Sequence, residues 1–243
     1  MNKKILFTSL IFILTFTLNA QDWFGSKKIK GDGNVVTVNR KVAVFDAVSS
    51  SGSFDVILVK GKKVKVTIEG EKNIIPYIET EVSGNTLNIN FQRNINIGTT
   101  KRLTVTVVYI SLESVALGGS GNISGKNLLK ADNFKVSLGG SGNINIKVDA
   151  DSVHASIGGS GNIDLEGKSN EFICSIAGSG NIRAYALKTG EVYTNIAGSG
   201  SIKTTVKTKI KAKLVGSGNV YYKGNPKFIN NKSVGSGSII NRN

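Results

Sequence analysis

The sequence predicts an all-β solenoid, a single-stranded parallel β-helix with about 19–20 residues per coil. Three observations carry that prediction. First, Gly119-Ser120-Gly121-Asn122-Ile123 returns at Gly140-Ser141-Gly142-Asn143, Gly159-Ser160-Gly161-Asn162 and Gly178-Ser179-Gly180-Asn181. It returns again as Gly-Ser-Gly-Ser-Ile from Gly198, Gly216-Ser217-Gly218-Asn219-Val220, and Gly-Ser-Gly-Ser-Ile from Gly235. The steps between first glycines are 21, 19, 19, 20, 18 and 19 residues, the signature of stacked repeats. Second, positions at fixed offsets from each motif are apolar in nearly every unit. Third, the chain between motifs is rich in β-branched residues and alternates apolar with polar.

In chain order, residues 1–20 read as a secretory signal peptide. Lys3 and Lys4 precede an apolar run from Ile5 to Leu18, and Asn19-Ala20 places a small residue before Gln21, the expected mature terminus. The run is short for a bilayer span. No cysteine follows the cut to carry a lipid, and no transmembrane segment is expected after cleavage. The destination is the periplasm, the cell surface or the medium.

Without Lys3 and Lys4, 29 of the 31 basic residues remain against 16 acidic ones, a net charge of +13. A basic exported chain points to anionic glycan or another envelope component, or to lysines that keep a sheet surface soluble and unpaired. No nucleic-acid partner is expected. Cys174 is the only cysteine, which excludes an intramolecular disulfide and a cysteine metal cluster.

Residues 21–111 are expected to form a β-rich cap and the first rungs. Strand-like runs stand at Val35–Val38, Val42–Phe45, Phe54–Val59, Val64–Ile68, Thr86–Asn90 and Leu103–Val107. Turns are expected at Gly31-Asp32-Gly33, Gly61-Lys62-Lys63 and Ser83-Gly84-Asn85. A helical turn fits only between Asn73 and Glu79, where Pro76 tolerates a helix start. Ser51-Gly52-Ser53-Phe54 looks like a worn copy of the motif, so this segment is expected to join the same stack.

Residues 112–243 are the repeat. Two residues before each first glycine stand Leu117, Leu138, Ile157, Ile176, Ile196 and Leu214. Four before stand Val115, Val136, Ala155, Cys174, Thr194 and Ala212, and six before, from the second unit on, Phe134, Val153, Phe172, Val192 and Ile210. Spacing by two puts these columns on one face of a strand. Ile123, Ile144, Ile163, Ile182, Ile202, Val220 and Ile239 add a fourth column. Coils stacked at about 4.8 Å would make seven copies a body of roughly 30 Å. Gly-Ser-Gly is read as a corner that exploits positive φ, and Asn122, Asn143, Asn162, Asn181 and Asn219 as a ladder of stacked amides.

The Gly-Ser-Gly-Asn-Ile repeat, the lead Ile29-Lys30-Gly31-Asp32-Gly33-Asn34-Val35-Val36, and Phe45-Asp46-Ala47-Val48 together resemble the head GIN domain family of putative auto-transporter adhesins. Gly52-Ser53-Phe54-Asp55-Val56 and Asn73 to Tyr77 fit the same pattern, over about residues 28 to 240. The resemblance implies a right-handed parallel β-helix on an exported bacterial protein. It supplies no binding residues to carry over.

No catalytic residue, metal ligand or cofactor is expected. Calcium-binding β-rolls repeat every nine residues with an aspartate, whereas this motif holds Asn or Ser. His154 alternates outward, and Cys174 falls in an inward column as a small core residue. The acids of the repeat form no column that would suit a polysaccharide-acting enzyme. The candidate binding surface is basic: Lys207, Lys209, Lys211 and Lys213, with Tyr193 on a neighbouring outward position. Its alternative is a charged, solvated sheet face. Beyond Gly235 the last coil either caps itself by polar drift at Asn231 and Ser233 or pairs with a second copy into a homodimer. The expected function is a non-catalytic exported binding or adhesion module for anionic glycan or cell-surface material. An envelope assembly protein that self-associates through its terminal rung is the alternative, and a polysaccharide-acting enzyme comes third.

Overall fold

The structure, a computed structural model, describes residues 27–243; the expected signal peptide lies outside the described residues. Strands β1 (Lys27–Lys30), β2 (Val35–Arg40), β3 (Ala47–Ser51), β4 (Asp55–Lys60) and β5 (Lys65–Glu71) come first. A 3₁₀ turn at Ile75–Tyr77 contains Pro76 and leads to β6 (Ile78–Ser83), β7 (Thr86–Phe91), β8 (Ile95–Gly98) and β9 (Thr104–Tyr109). The repeat holds β10 (Ser114–Leu117), β11 (Asn122–Leu138), β12 (Asn143–Ile157), β13 (Asn162–Gly178), β14 (Asn181–Gly198) and β15 (Ser201–Gly216). It ends with β16 (Asn219–Lys223), β17 (Phe228–Val234) and β18 (Ile239–Asn241). Together they form a β-solenoid of about seven turns.

The long strands are coils that bend halfway. In β12 the inward positions are Ile144, Ile146, Val148 and Ala150, then the parity slips at Ser152-Val153, both buried, and inward positions resume at Ala155 and Ile157. Each coil lies parallel to and in register with the next: Leu138 pairs Ile157, Ile157 pairs Ile176, Ile176 pairs Ile196, and Ile196 pairs Leu214. The isoleucine column from Ile123 to Ile202 is likewise in register and at most 1% exposed. A branched aliphatic buried this way contributes about 1.5–3 kcal/mol, so the columns dominate stability. Cys174 sits in them fully buried, and burial pushes its thiol pKa up.

The corner glycines have two separate reasons. Gly178, Gly198, Gly216 and Gly235 have φ between 111° and 133°, which favours glycine. Gly119, Gly140 and Gly159 do not, and the second glycine of the motif never does. There the cause is stacking: a Cβ on Gly142 would lie 2.0 Å from the carbonyl oxygen of Gly121, and one on Gly161 would lie 2.1 Å from that of Gly142. Positive φ therefore explains only the upper corners, and close backbone approach explains the rest.

Beside the corner, side-chain amides run head to tail. Asn181 donates to Asn162 (3.1 Å), Asn162 to Asn143 (2.9 Å), and Asn143 to Asn122 (2.9 Å). Ser201 joins the upper end by donating to Asn181 (2.7 Å). Asn219 leaves the column, its amide reaching the Ser217 carbonyl at 3.5 Å.

The first coils are interleaved. β3 and β4, joined through Ser51-Gly52-Ser53-Phe54, lie directly beneath β10 and β11. The coil beneath them is built from later residues, with β7 under β3 and β9 under β4. The chain then closes this end with antiparallel strands: β6 on β7, and β5 on β9 with β2 beyond it. Parallel stacking thus stops at the N-terminal end, and the hairpin turn Gly84-Asn85 has φ of 53° and 64°.

The expected strand at Val42–Phe45 is not formed. Val44 is 67% exposed while Phe45 is buried. The amides of Asp46 and Ala47 both go to the carbonyl of Asn85, at 3.1 and 3.3 Å. These bonds fix the start of β3 at Ala47, and Val42–Phe45 pair with no strand among the described residues.

A buried carboxylate ties this end together. Glu71 accepts from the Gly33 N–H (2.7 Å), the Thr100 N–H (2.8 Å), the Thr100 hydroxyl (2.5 Å) and the Lys101 N–H (3.3 Å). The Thr100 hydroxyl, helped by those N–H groups and opposed by burial, lowers its pKa to about 2.

Candidate functional site

The segment Lys209 to Val215 of β15 alternates outward lysines with inward Ile210, Ala212 and Leu214. Register sets what each lysine meets. Lys209 stands between Glu191 below and Phe228 above, Lys211 between Tyr193 and Asn230, and Lys213 between Asn195 and Lys232.

These lysines are not equivalent. The Lys209 ammonium lies 3.0 Å from a Glu191 carboxylate oxygen and donates to the Tyr193 hydroxyl at 2.8 Å. Tyr193 in turn donates to the same Glu191 oxygen at 2.6 Å. This closed triad lowers the Glu191 pKa, first through the Tyr193 hydroxyl and then through Lys209. It raises the Lys209 pKa, again with the Tyr193 hydroxyl first. Lys209 therefore works as a strut. The Tyr193 ring carries two cations on its face, Lys209 at 5.1 Å and Lys211 at 5.8 Å from the centroid, a favourable arrangement for an aromatic quadrupole.

Lys211, Lys213 and Lys232 are exposed and join no ion pair among the described residues. Lys213 and Lys232 stand on adjacent coils at the same register position. The three make a compact cationic surface whose charge is open to a ligand.

Lys207 is not part of it. It sits at the far corner beside Thr208, both exposed, and lines an open groove of about 680 Å³ with Asp149, Asp151, Lys168 and Lys188. There Lys168 is paired with Asp149 at 3.3 Å. The other tyrosines face elsewhere: Lys223 lies over the Tyr185 ring, Arg242 lies over that of Tyr221, and Tyr222 is buried. His154 is half-buried in the outward column that links Lys135, Ile173 and Tyr193.

A broader signal was missed in the sequence. Glu191 is the last acid of the chain; from Val192 to Asn243 there are nine basic residues and no Asp or Glu. Among the described residues, no group of three or more His, Cys, Asp or Glu is placed to hold a metal ion, and no helix is long and apolar enough to cross a membrane.

Residues 44–226 match the family described as "Putative auto-transporter adhesin, head GIN domain". The chain belongs to the head GIN domain family. The head GIN match begins at Val44, just before the buried Phe45, takes in the interleaved coils and most of the repeat, and stops short of β17. Crystal structures of similar fold include a putative adhesin of Bacteroides fragilis, with TM-score 0.83 and 25% identity over 88% of this chain and 100% of that one. A putative lipid binding protein of Parabacteroides distasonis has TM-score 0.76 and 27% identity over 89% of this chain and 100% of that one. A putative adhesin of Parabacteroides merdae has TM-score 0.71 and 25% identity over 90% and 100%. No protein with a curated description matches the chain.

Proposed function

We propose that this head GIN protein is a non-catalytic adhesion module of the cell exterior that holds anionic glycan on the Lys211, Lys213 and Lys232 face. The adhesin description of its family and of its structural neighbours supports adhesion and an exported or surface setting. The observation that carries the ligand class is the contrast among lysines. Lys209 spends its charge on Glu191 and Tyr193, while Lys211 and Lys213 beside it have no acidic partner among the described residues. Tyr193 adds a ring next to those charges, suited to stacking against a sugar. In-register pairing carries this face across two adjacent coils, from Lys211 and Lys213 on β15 to Lys232 on β17.

The test is a glycan array probed with the exported protein and with the K211Q/K213Q variant. Sulfated or carboxylated glycans are expected to bind the first, with affinity falling as salt rises, and to be lost from the second. Binding of neutral glycans alone, or unchanged binding by the variant, would remove the reading.

A further inference from the structure

We propose that Lys203, Lys223 and Arg242, with Tyr185 and Tyr221, form a second anion site on another side of the rod, and that it takes a phosphate monoester. The face given to glycan stands on the second half of β15, from Lys209 onward, and on β17. This site stands on the first half, Ser201–Thr205, and on β16 and β18 stacked above it, so it shares no residue with that face. Register builds it in two columns. In one, Arg183, Lys203, Tyr221 and Ile240 stand in register on successive coils. In the other, Thr205 pairs with Lys223, and the Arg242 N–H continues the ladder onto the Tyr222 carbonyl at 2.8 Å, which sets Arg242 above Lys223. The side chains then cross. Lys223 reaches down past the short Thr205 to lie 5.1 Å from the centroid of the Tyr185 ring, and Arg242 leans over Tyr221 at 5.2 Å. Asn243 closes the end through side-chain bonds to the Gly224 N–H and carbonyl, at 2.7 and 2.9 Å.

Charge selects the ligand. Arg183 is answered by Asp164 at 3.4 Å, but Lys203, Lys223 and Arg242 join no ion pair among the described residues. Three cations held this way repel one another, and a bound dianion relieves that repulsion. The two ring faces already carry cations, so the site turns hydrogen-bond donors rather than a free aromatic face toward solvent. Burial raises the Tyr185 pKa, with Arg242 opposing the rise and Tyr221 adding to it, so this hydroxyl keeps its proton and can donate. A guanidinium bonds two oxygens of one tetrahedral anion at once. A phosphate monoester offers three oxygens and a charge of about −1.5 to −2 at neutral pH. That matches three cations better than a singly charged sulfate ester or carboxylate does.

The test is calorimetric titration of the exported protein with inorganic phosphate, glucose-6-phosphate and glucose-6-sulfate. Both phosphates are expected to bind about tenfold tighter than the sulfate, and more weakly as salt rises. K223Q/R242Q, which changes two exposed side chains, should weaken phosphate binding about tenfold or more, with a thermal unfolding curve that shows a folded protein. R242K keeps the charge and loses the planar fork, and should weaken binding severalfold. Tighter binding of glucose-6-phosphate than of inorganic phosphate would support a phosphorylated sugar as the source, and equal binding would support phosphate itself. No phosphate binding, sulfate bound as tightly, or indifference to K223Q/R242Q would overturn the proposal. K211Q/K213Q should keep its phosphate binding and K223Q/R242Q its glycan-array profile, so failure here leaves the glycan face standing.

Discussion

Asn122 donates its side-chain amide to Asp55 at 2.8 Å, so the asparagine column of the repeat ends on a carboxylate that Arg102 grips from the other side at 2.7 Å. The column is therefore anchored at the interleaved coils, with every member both donor and acceptor. Removing an inner member breaks at least two bonds at once, and Asn162 also accepts from the Arg183 guanidinium at 3.2 Å. Asn162→Ala is expected to lower stability by roughly 1–2 kcal/mol, read as a shifted urea midpoint at constant slope. Asn219→Ala, outside the column, loses only a 3.1 Å bond from the Ser238 N–H and a 3.5 Å bond to the Ser217 carbonyl, and should shift it less.

The two reasons for glycine can be separated by substitution. Gly161→Ala puts a methyl 2.1 Å from the Gly142 carbonyl oxygen, where the next coil cannot give way. It should cost about 3 kcal/mol or prevent folding. Gly158→Ala, three residues earlier, meets nothing within 4 Å and should stay within about 0.5 kcal/mol of the parent. Equal effects in a denaturation series would refute the stacking explanation.

Glu71 makes the closed end acid-sensitive. Its folded pKa, about 2, lies below its ordinary value of 4.5. The folded state thus holds the carboxylate more tightly charged than the unfolded state does. That contribution is complete above about pH 4.5 and is lost as pH falls toward 2. Glu71→Gln should flatten the dependence of stability on pH in that window, measured by urea titrations at successive pH values.

Thr194 sits in an inward column between Cys174 and Ala212, 2% exposed, and its hydroxyl has no hydrogen-bond partner among the described residues. Thr194→Val keeps the shape and removes the unpaired group. It should raise stability by about 1 kcal/mol, a gain visible as a higher thermal midpoint.

The repeat was legible because its period and its alternation agree. A position such as Ile157 is apolar for the same reason in the coils above and below, so one alignment names the core. The leading segment lacks that redundancy. Nothing local shows that β7 lies below β3, since the pairing joins Ala47 to Thr86 across the whole cap. Val42–Phe45 has strand composition, yet no strand lies beside it to pair with among the described residues, and the Asn85 carbonyl holds the chain only from Asp46 onward.

The binding face was legible in part, because alternation aims Lys209, Lys211 and Lys213 outward but is silent on what each one touches. Counting back one 18-residue step from Lys209 reaches Glu191, which would have marked it as the paired lysine. Lys207 was misplaced because the register slips between Thr189 and Glu191, which moves the corner into its position.

The in-register coils also bear on how such a chain can change over generations. Each coil touches mainly the one above and the one below, and every corner offers the same backbone to its successor. In-frame duplication of a 19-residue unit, the spacing from Asn143 to Asn162, would lengthen the rod by about 4.8 Å and leave the closed end untouched. Reach is then inherited separately from the surface that binds, so tandem duplication and loss can adjust how far the basic pole stands from the capped end.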